Sequence, residues 1–367
     1  MTYVFYNSSV KYLKFFYSFY FFICETLGTD IGDLFDKKKI DFKFLSGRRI
    51  AIDAYNIIYQ FLSIIRQPDG TPLVDRRGRV TSHLSGLFYR NVKLLENDID
   101  LIYVFDGEPP IFKEKTLEVR KEIKEEAERK LKEAIEKGKI EEIKTYAQAT
   151  ARINEEIIEQ SKRLLDAMGI NVVQAPSEGE AQAAYLASAG YAYAVCSQDY
   201  DSLLFGSPRL VRNLTITGRR KLPRKDIYIE VEPEMIELNQ IKEKNIDRKK
   251  LIWIGILVGT DYNEGVKGIG VKRALEIVKK ANSLKEAFQL AKGEYSELIE
   301  EIENFFLNPP IIKDIHLEKK EMDEEKVMKL LCDEFDFSEE RVRNALAEFK
   351  KSQKKKGQSK LEDWFSS

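Results

Sequence analysis

The stretch AYAVCSQDYDSLLFG, residues 192–206, decides the fold. An apolar run from Ala192 to Cys196 stops at Ser197, and two acids, Asp199 and Asp201, follow with one residue between them. A short apolar run with polar residues at its end reads as a buried strand. The same grammar recurs along the chain. RRIAID (48–53) reads as a strand ending at Asp53, with AYNIIYQFLSII (54–65) as the helix after it. DLIYVFD (100–106) is another strand, ending at Asp106. INVVQAPSEGEAQAAYLASAG (170–190) reads as a short strand, a loop at Pro176 and a helix capped near Ser177. Strands alternating with helices imply an α/β fold with a mostly parallel central sheet flanked by helices.

Composition narrows the chemistry. The 367 residues are 43% hydrophobic and 33% charged, which suits a soluble globular chain with a substantial core. Sixty basic residues nearly balance 61 acidic ones, for a net charge of -1. That balance argues against a uniformly basic nucleic-acid binder, although both charges cluster locally. Cys24, Cys196 and Cys332 lie far apart, with neither metal-ligand spacing nor a disulfide framework. Only His83 and His316 are present, which disfavours a histidine-based zinc site or a Ser-His-Asp machine. A metal here must be held by carboxylates, a donor set for Mg²⁺ or Mn²⁺.

Between Glu108 and about residue 160 the chain becomes highly charged, with many Glu/Lys pairs four residues apart, and reads as one or two long exposed helices. LIWIGILVGTDYNEGVKGIGVKRALEIV (251–278) reads as a buried helix, a Gly-rich turn and a second helix. The tail from Lys350 is basic until its last eight residues. Residues 1–27 form an aromatic-rich extension whose apolar run is about half of the roughly 20 residues a membrane span needs. It is expected to be dispensable or an over-long translation start, with Leu27 in place of an initiator, rather than a membrane anchor.

Asp53, Asp106 and Asp199 each stand at or just past the carboxyl end of an apolar strand, the edge where open α/β sheets bind ligands. Glu178 and Glu180 open the helix after another strand, Asp201 follows Asp199, and Asp261 follows the buried helix. Singly, Glu178 and Glu180 read as complements to a helix N-terminus, Asp201 and Asp261 as caps, and Asp53 and Asp106 as ordinary acids of the loops after strands. Jointly, seven anions in one cleft would cost several kcal/mol of repulsion and desolvation without a cation. Two divalent ions roughly 4 Å apart resolve that cost and suit in-line phosphodiester hydrolysis.

Seven segments together carry a family likeness: AIDAYNIIYQFL, TSHLSGLFYR, VFDGEPP, APSEGEAQAAYLA, SQDYDSLLFG, GTDYNEGVKGIGVKRA and QSKLEDWF. From Gly28 to the C-terminus the chain resembles the structure-specific flap endonucleases, especially the archaeal form. The resemblance implies a PIN-like nuclease core over 28–346, with an arch at about 108–160 and a helix–two-turn–helix DNA-binding element at about 250–282. A basic linker and clamp-binding tail would follow over 347–367. It implies cleavage of 5′ flaps at junctions between single- and double-stranded DNA, with a 5′-to-3′ exonuclease activity, in Okazaki-fragment maturation and base excision repair. Asp53, Asp106 and Glu178 would serve a first Mg²⁺; Glu180, Asp199, Asp201 and Asp261 would serve mainly a second, with Mn²⁺ able to substitute. Lys113 and Arg120 would reach the scissile phosphate. Tyr59, Arg66, Lys267, Lys272 and Arg273 would contact DNA, and K⁺ would bind backbone carbonyls near Val266 and Ile269. Gln358, Leu361, Trp364 and Phe365 would form the box that binds the sliding clamp (PCNA). The implied protein is a monomer acting on branched DNA, with no membrane role. It would be cytoplasmic and nucleoid-associated, or nuclear in a eukaryote. The competing readings are a related two-metal nuclease acting on RNA or repair bubbles, and a non-catalytic clamp-bound scaffold.

Overall fold

A computed structural model describes residues 29–137, 150–216, 218–221 and 228–366, together with Glu142 and Tyr146. The chain divides into two compact units. The larger, formed by residues 37–198, 205–238 and 310–367, holds a seven-stranded sheet in the order β1-β9-β6-β5-β2-β3-β4. Its strands are β1 (Lys38–Lys39), β2 (Arg49–Asp53), β3 (Asp100–Phe105), β4 (Asn171–Gln174), β5 (Ala194–Cys196), β6 (Arg209–Arg212) and β9 (Glu234–Glu237). A separate hairpin pairs β7 (Gly218–Lys221) with β8 (Tyr228–Val231). The five strands from β6 to β4 run parallel, while β9 and β1 close one edge antiparallel.

The period of two along each parallel strand builds a helix–sheet–helix sandwich. Ile50 and Ile52 of β2, with Leu101, Tyr103 and Phe105 of β3, face one core. That core is covered by α1 (Ala54–Ile64), α2 (Ser82–Glu96) and α4 (Glu155–Ala167) and by the C-terminal helix Glu339–Ser366; the exposed helix α3 (Glu114–Glu136) lies between α2 and α4 in sequence. Ala51, Ile102, Val104 and Val195 point to the opposite face, where Ala183, Leu186 and Ala187 of α5 (Gly179–Ser188) cover them. Both faces are buried, so these strands are apolar throughout rather than alternating.

The first core contains a buried titratable group. His83 on α2 is fully buried, with the Gln160 side chain beside its ring. Burial pushes its imidazolium down to about 4, with the neighbouring Gln160 side chain pulling weakly the other way. The unfolded chain therefore binds the proton more readily. Stability from this group is full above pH 6.5 and is lost as pH falls from there toward 4, by up to about 3 kcal/mol. Urea unfolding at pH 7 and pH 5 is expected to show this loss in the wild type and to lack it in His83→Leu. An equal loss in both would assign the pH dependence to other groups.

The charged segment after Pro110 forms a 3₁₀ turn, Ile111–Lys113, and the long helix α3 (Glu114–Glu136). Pairs such as Arg129 with Glu126 and Glu133 line its exposed surface. The expected arch limit of residue 160 is too long: α4 carries buried Ile157, Leu164 and Leu165 and belongs to the packed core. Nor does Ser177 cap α5. The N-cap is Glu178, whose side chain makes no capping bond because its carboxylate is engaged by a lysine.

The smaller unit combines residues 29–36 with 199–204 and 239–309. It contains α6 (Arg248–Val258), α7 (Val271–Lys280), α8 (Leu284–Ala291) and α9 (Glu297–Leu307). Helix α6 is apolar on nearly every side, with Leu251 to Leu257 all buried. The turn after it requires glycine. Gly265 has φ +71°, and a Cβ there would stand 2.3 Å from the Val258 carbonyl oxygen. Among the described residues, no helix is long and apolar enough to cross a membrane.

Candidate active site

Sheet order locates the crevice. The chain runs from β2 to β3 and β4 on one side, then returns to place β5 and β6 on the other. The order reverses between β2 and β5, and ligands bind outside the carboxyl ends of such strands. Asp53 ends β2 at this point and is 5% exposed. Its Oδ1 accepts the Asn56 amide and so caps α1, while Oδ2 accepts the Ser197 hydroxyl at 3.3 Å, just past β5. Asp53 thus caps α1 while standing at the carboxyl edge of the sheet, a cap that its reading as a loop acid did not foresee. Asn56 adds a further tie: its Oδ1 accepts the Gln198 amide at 3.2 Å.

The neighbouring strand supplies the next acids. Asp106 follows β3, and its Oδ1 accepts the Gly179 amide at 2.7 Å. A Cβ on Gly179 would stand 2.5 Å from that oxygen, so only glycine allows the approach. Glu178, one residue earlier, is 7% exposed. Lys113, 9% exposed, donates from Nζ to both Glu178 oxygens at 2.9 and 2.7 Å. An ammonium thus stands where a carboxylate at a strand's carboxyl edge would meet another cation. Glu180 lies in the first turn of α5, with its Oε1 buried.

The smaller unit holds the other three acids. Asp201 opens the one-turn helix Asp201–Leu204, is 3% exposed and accepts the Thr29 amide at 3.2 Å. Burial, then the charge of Asp261, and to a lesser degree that of Asp199, pushes its carboxyl up to about 7. Asp199 and Asp261 are each half-buried. The charges of Asp199 and Asp261 therefore act on the buried Asp201 carboxyl.

Among the described residues, no three Asp, Glu, His or Cys side chains close into a ready-made cage for an ion. All-oxygen donors facing a hydrated ion need no such cage, because Mg²⁺ retains several waters and takes only one or two protein carboxylates. The residues fit a hard divalent ion on their chemistry: oxygen donors, no sulfur or imidazole, and an internal ammonium already on Glu178.

The remaining candidates fall elsewhere. Tyr59 is half-buried and packs against the first core. Arg66 donates to the carbonyls of Ser63 and Gly70 and so ties down a loop. Lys267, Lys272 and Arg273 are exposed around the Gly-rich turn and the start of α7. The Val266 carbonyl accepts the Ile269 amide at 2.9 Å. Arg120 lies on α3, and Gln358, Leu361, Trp364 and Phe365 lie on the C-terminal helix. The side chains of these five are outside the described residues, as are residues 1–27. Sequence reading missed Thr29 and assigned no role to Ser197 or Asn56, although both lie inside quoted segments, because none of the three carries a charge.

The XPG N-terminal domain model matches residues 32–127, and the XPG I-region model matches 169–261. A flap endonuclease 1 of Pyrococcus furiosus is 58% identical over 341 residues, covering 92% of this chain and 99% of its own length. The chain belongs to the flap endonuclease 1 family. A second member, from Archaeoglobus fulgidus, is 52% identical over 92% of this chain and 100% of its own. The solved flap endonuclease-1 from Methanococcus jannaschii superposes with a TM-score of 0.70 at 45% identity, covering 90% of this chain and 100% of that one. The catalytic core of Rad2 in complex with a DNA substrate shares the fold at 23% identity, with a TM-score of 0.62 and coverage of 87% and 97%. The chain is therefore a structure-specific nuclease of a divalent-metal-dependent family, as its carboxylates suggested.

Proposed function

We propose that this enzyme is a Mg²⁺-dependent 5′ flap endonuclease with 5′-to-3′ exonuclease activity, acting on branched DNA in replication and repair. The observation that carries the reading is the Lys113 ammonium seated on Glu178, in the same turn that engages Asp106 at the carboxyl edge of the sheet. Asp53, Asp106 and Glu178 would hold one Mg²⁺, and Glu180, Asp199, Asp201 and Asp261 mainly a second. Bound Mg²⁺ supplies Lewis-acid stabilisation of phosphoryl charge and a more acidic water.

The chain's own groups do the rest. Lys113 offers a positive charge to the phosphate oxygens once its carboxylate partner is otherwise neutralised, and Arg120 adds a second. Ser197 and the Gly179 amide fix the orientation of Asp53 and Asp106, so these oxygens need not reorganise when substrate arrives. Asp201, whose carboxyl burial and Asp261 push up, would supply an oxygen donor to a bound cation. The family names of its relatives and the DNA complex of the Rad2 core support a DNA substrate. Lys267, Lys272 and Arg273, exposed beside glycines that allow close approach, suit backbone phosphates, and the carbonyls near Val266 and Ile269 suit K⁺.

The test is cleavage of a double-flap substrate alongside bubble and RNA substrates, with Mg²⁺, Mn²⁺ or a chelator. Cutting of the flap alone, abolished by chelation, is expected; preferential cutting of RNA or bubbles would contradict the assignment. The tail carries a separate expectation. The box at Gln358, Leu361, Trp364 and Phe365 would plug a hydrophobic pocket on the sliding clamp. Deleting residues 358–367 should abolish stimulation by the clamp and spare basal cleavage, read from initial rates with and without clamp. Equal loss of both would refute the role.

A further inference from the structure

The amino ends of the same sheet's parallel strands carry a second cluster of charged side chains. They line an open surface groove of about 540 Å³. Arg49 starts β2, Asp100 starts β3, Tyr193 precedes β5 and Arg209 starts β6, and all four line it together with Arg48. Four rises of about 3.3 Å along β2 separate it from Asp53 by roughly 13 Å, so it is distinct from the carboxylate site.

Three guanidinium groups face one acid among the lining residues. Asp100 accepts from Arg49 Nε, and Arg209 donates to the Tyr193 carbonyl at 3.2 Å. Arg48 is held by rings instead: its guanidinium carbon lies 3.9 Å from the Tyr193 ring centre and 4.3 Å from that of Phe44. Arg209 also packs on Tyr193, at 4.3 Å. Arg48 Nη1 is buried and has no acceptor. The charge of Arg48, with those of Arg49 and Arg209, exceeds that of Asp100 and leaves the lining net positive, which a phosphate would offset. The backbone holds the arrangement rigid: Arg48 O accepts the Asp100 amide at 2.9 Å, and Arg49 O accepts the Tyr193 amide at 2.7 Å.

We propose that this pocket binds a phosphate group, carried by a nucleotide or by the backbone of DNA. A carboxylate satisfies one guanidinium fork, and Asp100 already provides one. A phosphate presents three oxygens to several planar donors at once and suits a cluster of arginines.

The test is isothermal titration of the full chain, in chelator, with inorganic phosphate, with 5′-dAMP and with a short blunt duplex. Wild-type protein is expected to bind at least one probe, and R48Q/R209Q at least 10-fold more weakly. R48K/R209K keeps the charge and loses the forks, and should fall between them. D100N removes the competing anion and should bind roughly threefold more tightly. Weakening in R48Q/R209Q that is shared by phosphate and dAMP identifies a free phosphate monoester as the ligand; weakening confined to the duplex, beyond its binding at Lys267, Lys272 and Arg273, identifies the DNA backbone. If R48Q/R209Q melts normally and binds all three probes as wild type does, the proposal is overturned. If that variant fails to fold, D100N decides, and an unchanged affinity there overturns it equally.

Discussion

Asp199→Ala is expected to bind flapped DNA as the wild type does and to cut it at least ~10²-fold more slowly. Asp199 is half-buried, and its charge helps raise the Asp201 carboxyl, so it lies in the electrostatic neighbourhood of the other acids in its unit. Removing it takes away an oxygen donor without opening a large void. The loss should therefore appear in the chemical step, not in folding. Single-turnover cleavage under saturating enzyme separates the two: the rate constant falls while the dissociation constant for a flap substrate stays. Unchanged cutting would remove Asp199 from the metal set and return the paired acids to a structural role.

Lys113→Met is expected to produce two effects with different origins. Lys113 and Glu178 are both nearly buried and bonded through both carboxylate oxygens. Deleting the ammonium leaves a buried anion, a change that typically costs roughly 3 kcal/mol. Chelated protein should unfold at correspondingly lower urea, and Mg²⁺ should restore much of the loss by supplying another cation. The double variant Lys113→Met with Glu178→Gln should recover stability without metal, as a double-mutant cycle between contacting groups requires. Cutting, however, should stay at least 10-fold slow in the single variant at saturating Mg²⁺, because the phosphate also loses a positive charge. If the double variant is no more stable than the single one, the ion pair does not account for the instability.

These contrasts show what the sequence made legible. The apolar runs Ile50–Ile52 and Leu101–Phe105 were readable because both faces of those strands are buried, leaving no alternation to confuse. Asp53 and Asp106 stood out as charges at the ends of those runs. Strands β6 and β9 were missed because only their two central residues are buried while both ends are polar. Each pairs with the other across a turn and a hairpin, a distance no local pattern reports. Lys113 was read for its charge, but its partner lies 65 residues away, and nothing in either segment announces the pairing. Thr29 contributes a backbone amide, a group every residue but proline possesses. The cap of α5 was misplaced by one residue because Ser177 is the better capping side chain, and the bond to Lys113 decided otherwise.

Anomalous scattering from Mn²⁺-soaked crystals tests the central claim most directly. Two peaks roughly 4 Å apart are expected, ligated by oxygens drawn from Asp53, Asp106, Glu178, Glu180, Asp199, Asp201 and Asp261. Mn²⁺ bound only away from these seven side chains, or no bound ion at all in active protein, would contradict the account.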